Sequence, residues 1–362
     1  MIKELNYTED YGKKLAKKRD KTGFPRDVIF EITHRCNLRC RHCYIVPESG
    51  KKELSTQEVR SVFDQLVEAG CLHATLTGGE PLMRKDIITL IDYARRIGLF
   101  IRLFTNATLI TPPIADKLKE FQLISLEISL HSLERERFDW FTQVAGSYDR
   151  TMKAINLLKE RMIKIALKIT ITRANLDEIG ELKEFVEYLG AAPEWATVLV
   201  PRQDGSKDNI TLRLEPESVV NFDDMLSPDL TRDVDPSLDE IPKSDNNPGK
   251  RWIRGRLFQC GAGTKGLAIS PYGELKPCLE LPAPGYSVLN GGLKERWKML
   301  GDYVRSFKPN PDNKCFDCRL RKFCSSCPAK ARLECGDMNA CPPYYRRLAE
   351  LSRDKKTMDE RR

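Results

Sequence analysis

The chain of 362 residues contains no apolar run approaching the roughly 18 residues of a membrane span. Its opening stretch, MIKELNYTEDYGKKLAKKRDKTG, is polar and charged and lacks the apolar core of a secretion signal. No internal repeat recurs at a fixed period, and no cysteine falls between Cys71 and Cys260. The first two absences argue against a helical membrane protein and a secreted one. They predict a cytoplasmic chain with no membrane partner. The cytoplasm is reducing, which argues against a disulfide framework.

What the chain does have is twelve cysteines, a formal charge of +8, 41% hydrophobic and 31% charged residues. That composition is globular, not disordered. A chain this long builds a full core without covalent staples, so the cysteines read as ligands. Its length is a prior for two or three domains. The basic residues are scattered among acids, which describes a solvated surface and predicts no nucleic-acid partner.

Short apolar runs at Val28–Thr33, Leu72–Thr77, Leu99–Thr105, Leu123–Leu130, Ile165–Thr172 and Trp195–Val200 read as strands. Helical patterns lie between them. Ser55 and Glu58 form a capping box ahead of Val59, Val62, Phe63, Leu66 and Val67, and Gly70 closes that helix. Asp86 starts a second helix that ends at Gly98, and Pro112 and Pro113 open a third. Tyr148–Met162 and Asp177–Leu189 supply two more. Strands alternating with helices imply parallel βαβ units, in an open sheet or a barrel-like arc. Residues 1–25 read as a lead-in, 26–220 as the α/β unit and 221–256 as an acidic, proline-containing linker. Residues 257–345 form a cysteine-rich domain, and 346–362 a charged tail with seven Lys/Arg and four Asp/Glu.

Cys36, Cys40 and Cys43 stand directly after the first strand, spaced C-x3-C-x2-C. Three thiolates in one loop can wrap a face of an iron–sulfur cube and leave one iron open to a ligand. A zinc site completed by His34 or His42 is the alternative. The triplet followed by aromatic Tyr44 resembles the signature of radical S-adenosylmethionine (SAM) enzymes. Thr77, Gly78, Gly79, Glu80 and Pro81, after the second strand, resemble that family's GGEP motif, which implies a contact with the SAM amino group. Glycines allow close backbone approach, and a carboxylate with carbonyls attracts an ammonium. The segment ending in Ser129 and His131 resembles the family's SLDG, with His131 where an Asp is common. Ser129 and Arg150 match positions that bind the SAM carboxylate. Thr105 and Asn106 resemble a TNG turn, with Ala107 replacing the Gly. The resemblance covers about residues 26–200 and implies a partial (β/α)6 barrel with the motifs at the C-terminal ends of its strands.

The C-terminal cysteines run Cys260-x12-Gly273-x4-Cys278, then Cys315-x2-Cys318-x5-Cys324-x2-Cys327, then Cys341. This is similar to a SPASM domain, which carries auxiliary clusters behind many radical SAM cores. The resemblance implies three [4Fe–4S] clusters in all. By matched position, Cys260, Cys278 and Cys327 would hold auxiliary cluster I, and Cys315, Cys318, Cys324 and Cys341 auxiliary cluster II. Relatives with a further cysteine six residues after the first are matched here by Gly266. Cluster I is thus one ligand short: Cys335 serves, an iron stays open, or the ligand is not a cysteine. A double zinc site is the alternative. Cys71 reads as a small core residue.

The implied chemistry is reductive cleavage of SAM to a 5′-deoxyadenosyl radical that abstracts hydrogen from a substrate C–H, with a flavodoxin or ferredoxin as reductant. A ribosomally made precursor peptide is the first substrate class expected. Fewer than 30 residues precede Val28, so a leader-binding protein would be separate. Tetrapyrrole side-chain modification in heme or heme d1 biosynthesis is the alternative. Sulfatase maturation is disfavoured, because Leu279 stands where those relatives carry an Asp base. From a different class, an electron carrier or cluster scaffold would need no SAM site. No catalytic residue is assigned.

Overall fold

The computed structural model describes residues 23–48, 50–225 and 255–359. Six parallel strands, each followed by helix, form the α/β unit. They are β1 (Asp27–Thr33), β2 (His73–Gly78), β3 (Phe100–Thr105), β4 (Ser125–Leu130), β5 (Ala166–Thr170) and β6 (Ala192–Ala196). The helices are α1 (Thr56–Ala69), α2 (Ile87–Arg96), α3 (Pro112–Phe121), α4 (Arg135–Thr142), α5 (Ser147–Glu160), α6 (Ile179–Leu189) and α7 (Pro216–Met225). The cysteine-rich region adds β7 (Leu267–Ile269), β8 (Leu275–Lys276), α8 (Leu293–Ser306), α9 (Pro328–Cys335) and α10 (Pro343–Asp359). Among the described residues no helix is long and apolar enough to cross a membrane.

Local chemistry explains most boundaries. The Ser55–Glu58 capping box forms, and Gly70 ends α1 at φ 93° in the left-handed region. Pro112 and Pro113 occupy the first turn of α3. Asp86 precedes α2 but does not cap it: its carboxylate turns to Arg84 and Thr56 instead. The sixth strand lies a few residues earlier than its apolar run, with Ile169 opposite Trp195. Beyond Ile171, whose N–H still donates to the Ala196 carbonyl at 2.8 Å, its neighbour leaves the sheet, because the Thr172 N–H goes to Asn175 Oδ1 at 2.7 Å.

Alternation sorts each strand into two faces. Phe30, Ile32, Leu76, Leu103, Ile128, Leu130, Leu167 and Ile169 point to the helices and pack with Phe63, Leu66, Leu90 and Ile91 in one core. Each such side chain stabilises the fold by about 1.5–3 kcal/mol. The other face is polar, and the motif-bearing loops rise from its C-terminal edge.

The strand order is β6-β5-β4-β3-β2-β1-β7-β8. β7 pairs in parallel with β1, Ile29 opposite Ala268, and β8 returns antiparallel. The cysteine-rich region therefore begins as part of the barrel's own sheet, and Leu267, Ile269 and Leu275 share the main core. Residues 221–225, at the expected start of the linker, complete α7. The charged C-terminal stretch continues α10, which lies on α7. There Arg347 pairs with Glu217 at 2.7 Å and Lys355 Nζ donates to the Val220 carbonyl at 2.7 Å. Residues 1–22 and 226–254 lie outside the described residues.

Candidate active site

The loop after β1 carries Cys36, exposed, and Cys40 and Cys43, half-buried. It is pinned to the end of α4, where Arg39 N and Arg41 N donate to the Thr142 and Phe141 carbonyls at 2.9 Å. Burial pushes all three thiols up, and for Cys40 the charges of Cys43 and Cys36 add to it. Three thiols that close resist ionising together in the bare protein. A cationic cluster supplies the charge that would ionise them. Among the described residues no three His, Cys, Asp or Glu side chains converge tightly enough for a single metal ion. The donor set is all sulfur, which suits iron–sulfur chemistry over a hard cation.

The turn after β2 reaches the same place. Gly79 N donates to Thr33 O at 2.8 Å and Glu80 N to Arg35 O at 2.9 Å. A Cβ on Gly78 would lie 2.1 Å from Thr33 O, and one on Gly79 2.4 Å from Arg35 O. The two glycines thus let this turn lie directly on the backbone entering the cysteine loop. Thr77 precedes them on the polar face of β2. Glu80 is fully buried. Its carboxylate accepts from Leu82 N at 3.0 Å, Thr105 Oγ1 at 2.7 Å and Asn106 N at 2.7 Å. Burial raises it to about 7, against these hydrogen bonds.

Asn106 extends the chain of contacts, its Nδ2 lying 3.0 Å from Asn37 Oδ1 and 3.8 Å from Cys36 Sγ. Ala107 takes φ 63°, the left-handed value for which glycine is usual. Its N–H is held by Thr105 Oγ1 at 2.9 Å. Tyr44 follows Cys43, and burial, then the charges of Glu31, Cys43 and Glu280, push its phenol up. Its carbonyl accepts from Gln203 N at 2.9 Å.

Ser129 sits on the polar face of β4, opposite Lys168 in register. His131 is buried among His42, Phe138 and Phe141, with Nε2 4.0 Å from Cys40 Sγ. Burial, then His42, holds it well below the ordinary histidine value, so it is a neutral wall behind the cysteine loop. Arg150 is exposed in the first turn of α5, its guanidinium 3.4 Å from the Ala145 carbonyl.

Downstream, the cysteines fall into two neighbourhoods. Cys260, Cys278 and Cys327 pack together against Leu257, Phe258, Leu281 and Ala329. Burial lifts Cys278 to about 12 and Cys327 to about 11. Cys315, Cys318, Cys324 and Cys341 form the other: burial and then the charges of Cys341, Cys324 and Cys318 raise Cys315. Cys335 is exposed at the end of α9. Cys71 is buried, its thiol on the Arg26 carbonyl at 3.2 Å.

Sequence reading missed the charges on the polar face of the sheet. Glu31, fully buried, pairs with Lys276 of β8 at 3.1 Å. Glu127 takes both Arg102, at 3.4 Å, and Lys168, at 3.1 Å. The signal was present as polar residues at alternate positions of otherwise apolar strands.

Residues 30–186 match the Radical SAM superfamily. The chain is 30% identical over 339 residues to the AdoMet-dependent heme synthase of Nitratidesulfovibrio vulgaris, covering 87% of this chain and 90% of that protein. It is 29% identical over 272 residues to the subtilosin biosynthesis protein AlbA of Bacillus subtilis, covering 71% of this chain and 56% of AlbA. The fold is similar to that of Streptococcus suis SuiB bound to its precursor peptide SuiA, with a TM-score of 0.67 at 18% identity over 92% of this chain and 79% of that one. With a near full-length relative, an α/β core and a cysteine-rich extension of that kind, the chain belongs to the radical SAM superfamily, as an enzyme that cleaves S-adenosylmethionine and acts on an external substrate.

Proposed function

We propose that the substrate is a tetrapyrrole and that the enzyme modifies one of its carboxylate-bearing side chains. The near full-length match to an AdoMet-dependent heme synthase carries this reading: it spans 90% of that protein, against 56% of AlbA. The precursor peptide expected first from sequence is the second reading. It is favoured by the similarity to AlbA, and a separate leader-binding protein belongs with it.

When bound, the reduced cluster and SAM supply a 5′-deoxyadenosyl radical that takes hydrogen from a substrate C–H. Cys36, Cys40 and Cys43 hold that cluster. The turn of Thr77, Gly78, Gly79 and Glu80, with Asn106, Tyr44, Ser129, His131 and Arg150, frames the SAM site. Cys260, Cys278 and Cys327 hold one auxiliary cluster, and Cys315, Cys318, Cys324 and Cys341 another, within a cysteine-rich unit over 257–345. Lys168, partly exposed opposite Ser129 and paired with Glu127, would share its charge with a substrate carboxylate. A flavodoxin or ferredoxin delivers the electron, in the cytoplasm.

The test is anaerobic reconstitution with iron, sulfide, dithionite and SAM, followed by an iron porphyrin bearing propionates. The expected result is substrate-dependent 5′-deoxyadenosine and a change in porphyrin mass. 5′-Deoxyadenosine that responds to a short cysteine- or glycine-rich peptide and not to the porphyrin would overturn it.

A further inference from the structure

We infer that Glu280, not Cys335, completes the ligand set of the cluster held by Cys260, Cys278 and Cys327. The inference rests on the reading that those three cysteines hold a four-iron cube. A cube has four irons and three of these have a cysteine, so the fourth either stays open or takes a ligand from elsewhere.

Cys335 is badly placed to supply it. It ends α9, which begins at Pro328, directly after Cys327. Eight residues of helix separate the two sulfur-bearing positions by about 12 Å along a rigid axis. Ala329, Ala331 and Leu333 are buried on opposite sides of α9, which fixes the helix in place. Cys335 itself is exposed. The charges that act on it are those of Glu334, Lys207 and Asp337, and the thiol it acts on is Cys341, in the other neighbourhood.

Glu280 is in the right neighbourhood. It follows Cys278 by two residues, and Cys327 Sγ lies 3.8 Å from its Oε2. Its charge also reaches Cys260 and Cys278. Its flanks are anchored: Leu281 is buried in the apolar pocket shared by the three cysteines, and the Leu279 carbonyl accepts from Gln203 Nε2 at 3.1 Å. The described residues offer this carboxylate no ion pair. The charge of Lys330 acts on it from beyond ion-pair distance, while that ammonium donates to the Ser325 carbonyl at 3.2 Å and lies 5.3 Å over the Tyr345 ring. A half-buried carboxylate among three thiols and without a salt bridge is a costly arrangement unless a metal charge offsets it.

The chemistry separates this iron from its neighbours. Carboxylate oxygen is a harder ligand than thiolate, so the iron it holds is the exchangeable corner of the cube. The charge of Glu280 also acts on Tyr44, beside the first cysteine triplet.

The experiment compares the anaerobically reconstituted full chain with its Glu280→Gln, Glu280→Cys and Cys335→Ala variants. It reads iron and sulfide per chain and the EPR spectra of oxidised and dithionite-reduced protein. Wild type and Cys335→Ala are expected to bind about 12 iron. Glu280→Gln is expected to bind about 11 iron and to show an oxidised three-iron signal that wild type lacks. Glu280→Cys is expected to regain the full count with a shifted reduced-cluster spectrum. Glu280→Gln with wild-type iron and spectra, or Cys335→Ala that loses iron, would overturn the assignment. If Glu280→Gln fails to fold by far-UV circular dichroism, Glu280→Cys decides: an unshifted spectrum overturns it. Wild type with about four iron would instead overturn the auxiliary-cluster reading beneath it.

Discussion

Glu80 reaches from the turn after β2 to accept the backbone N–H of Asn106 at 2.7 Å, and so sets the distance between two strand ends that never pair there. Asn106 then touches Cys36. The carboxylate of the GGEP-like turn thus braces the cysteine loop from behind, through one intermediate residue.

This brace makes stability depend on pH. Glu80 titrates at about 7 in the fold against an ordinary 4.5, with burial the main cause. The native state therefore holds this proton more tightly than the unfolded chain does. Its contribution is full below pH 4.5 and is lost as pH rises toward 7, by up to ~3 kcal/mol. The Tm of wild type should fall relative to that of Glu80→Gln between pH 5 and 7. Parallel Tm curves would refute the argument.

Replacing Cys36, Cys40 or Cys43 with Ala should remove about four iron per chain and reduce 5′-deoxyadenosine formation to background. Cys71→Ala should keep its iron and cost only about 1 kcal/mol in urea unfolding. Loss of iron in the Cys71 variant would show that its buried thiol is more than packing.

His131 stands where the resembling segment has an acid, yet its surroundings are aromatic. His131→Asp places a carboxylate against Phe138 and Phe141, with no ion-pair partner at His131 among the described residues, and should cost ~3 kcal/mol. His131→Asn should cost less. Urea midpoints of the two variants, measured together, check the order.

Arg213 is buried, pairs with the half-buried Glu334 of α9, and stacks 4.2 Å over the Tyr344 ring of α10. Removing the cation alone strands a carboxylate. Arg213→Met should therefore destabilise by ~3–5 kcal/mol, and Arg213→Met with Glu334→Leu should recover most of it. Equal losses in the single and double variants would show that the ion pair is incidental.

The apolar strands, the capping box and the order of alternating elements were legible because each is written in local periodicity. The cysteine loop and the GGEP-like turn were legible because their spacing is short. Other features were not. Leu267–Ile269 is too brief to show a pattern, and its partner Val28–Phe30 is more than 200 residues away, so nothing local announces the pairing. Glu31 and Lys276 read as ordinary polar residues until the register puts them on one face. Arg150 matched a motif position, but a match does not say which way the side chain of a helix's first turn will lean. Glu280 belongs to no motif, and only the fold brings it to Cys327.

The pairing of β7 with β1 has a consequence for how the chain is made. Residue 28 leaves the ribosome 239 residues before its partner at 267. At about 5–20 residues per second, that is a wait of about 10–50 s. Throughout it, β1 would present an open hydrogen-bonding edge beside Val28, Phe30 and Ile32, a template for pairing with any other nascent strand. A chain ended at residue 225 should therefore self-associate in size-exclusion chromatography where the full chain does not. The segment that closes the first strand is made long after it, so this enzyme would depend on chaperones most while that pairing is still missing.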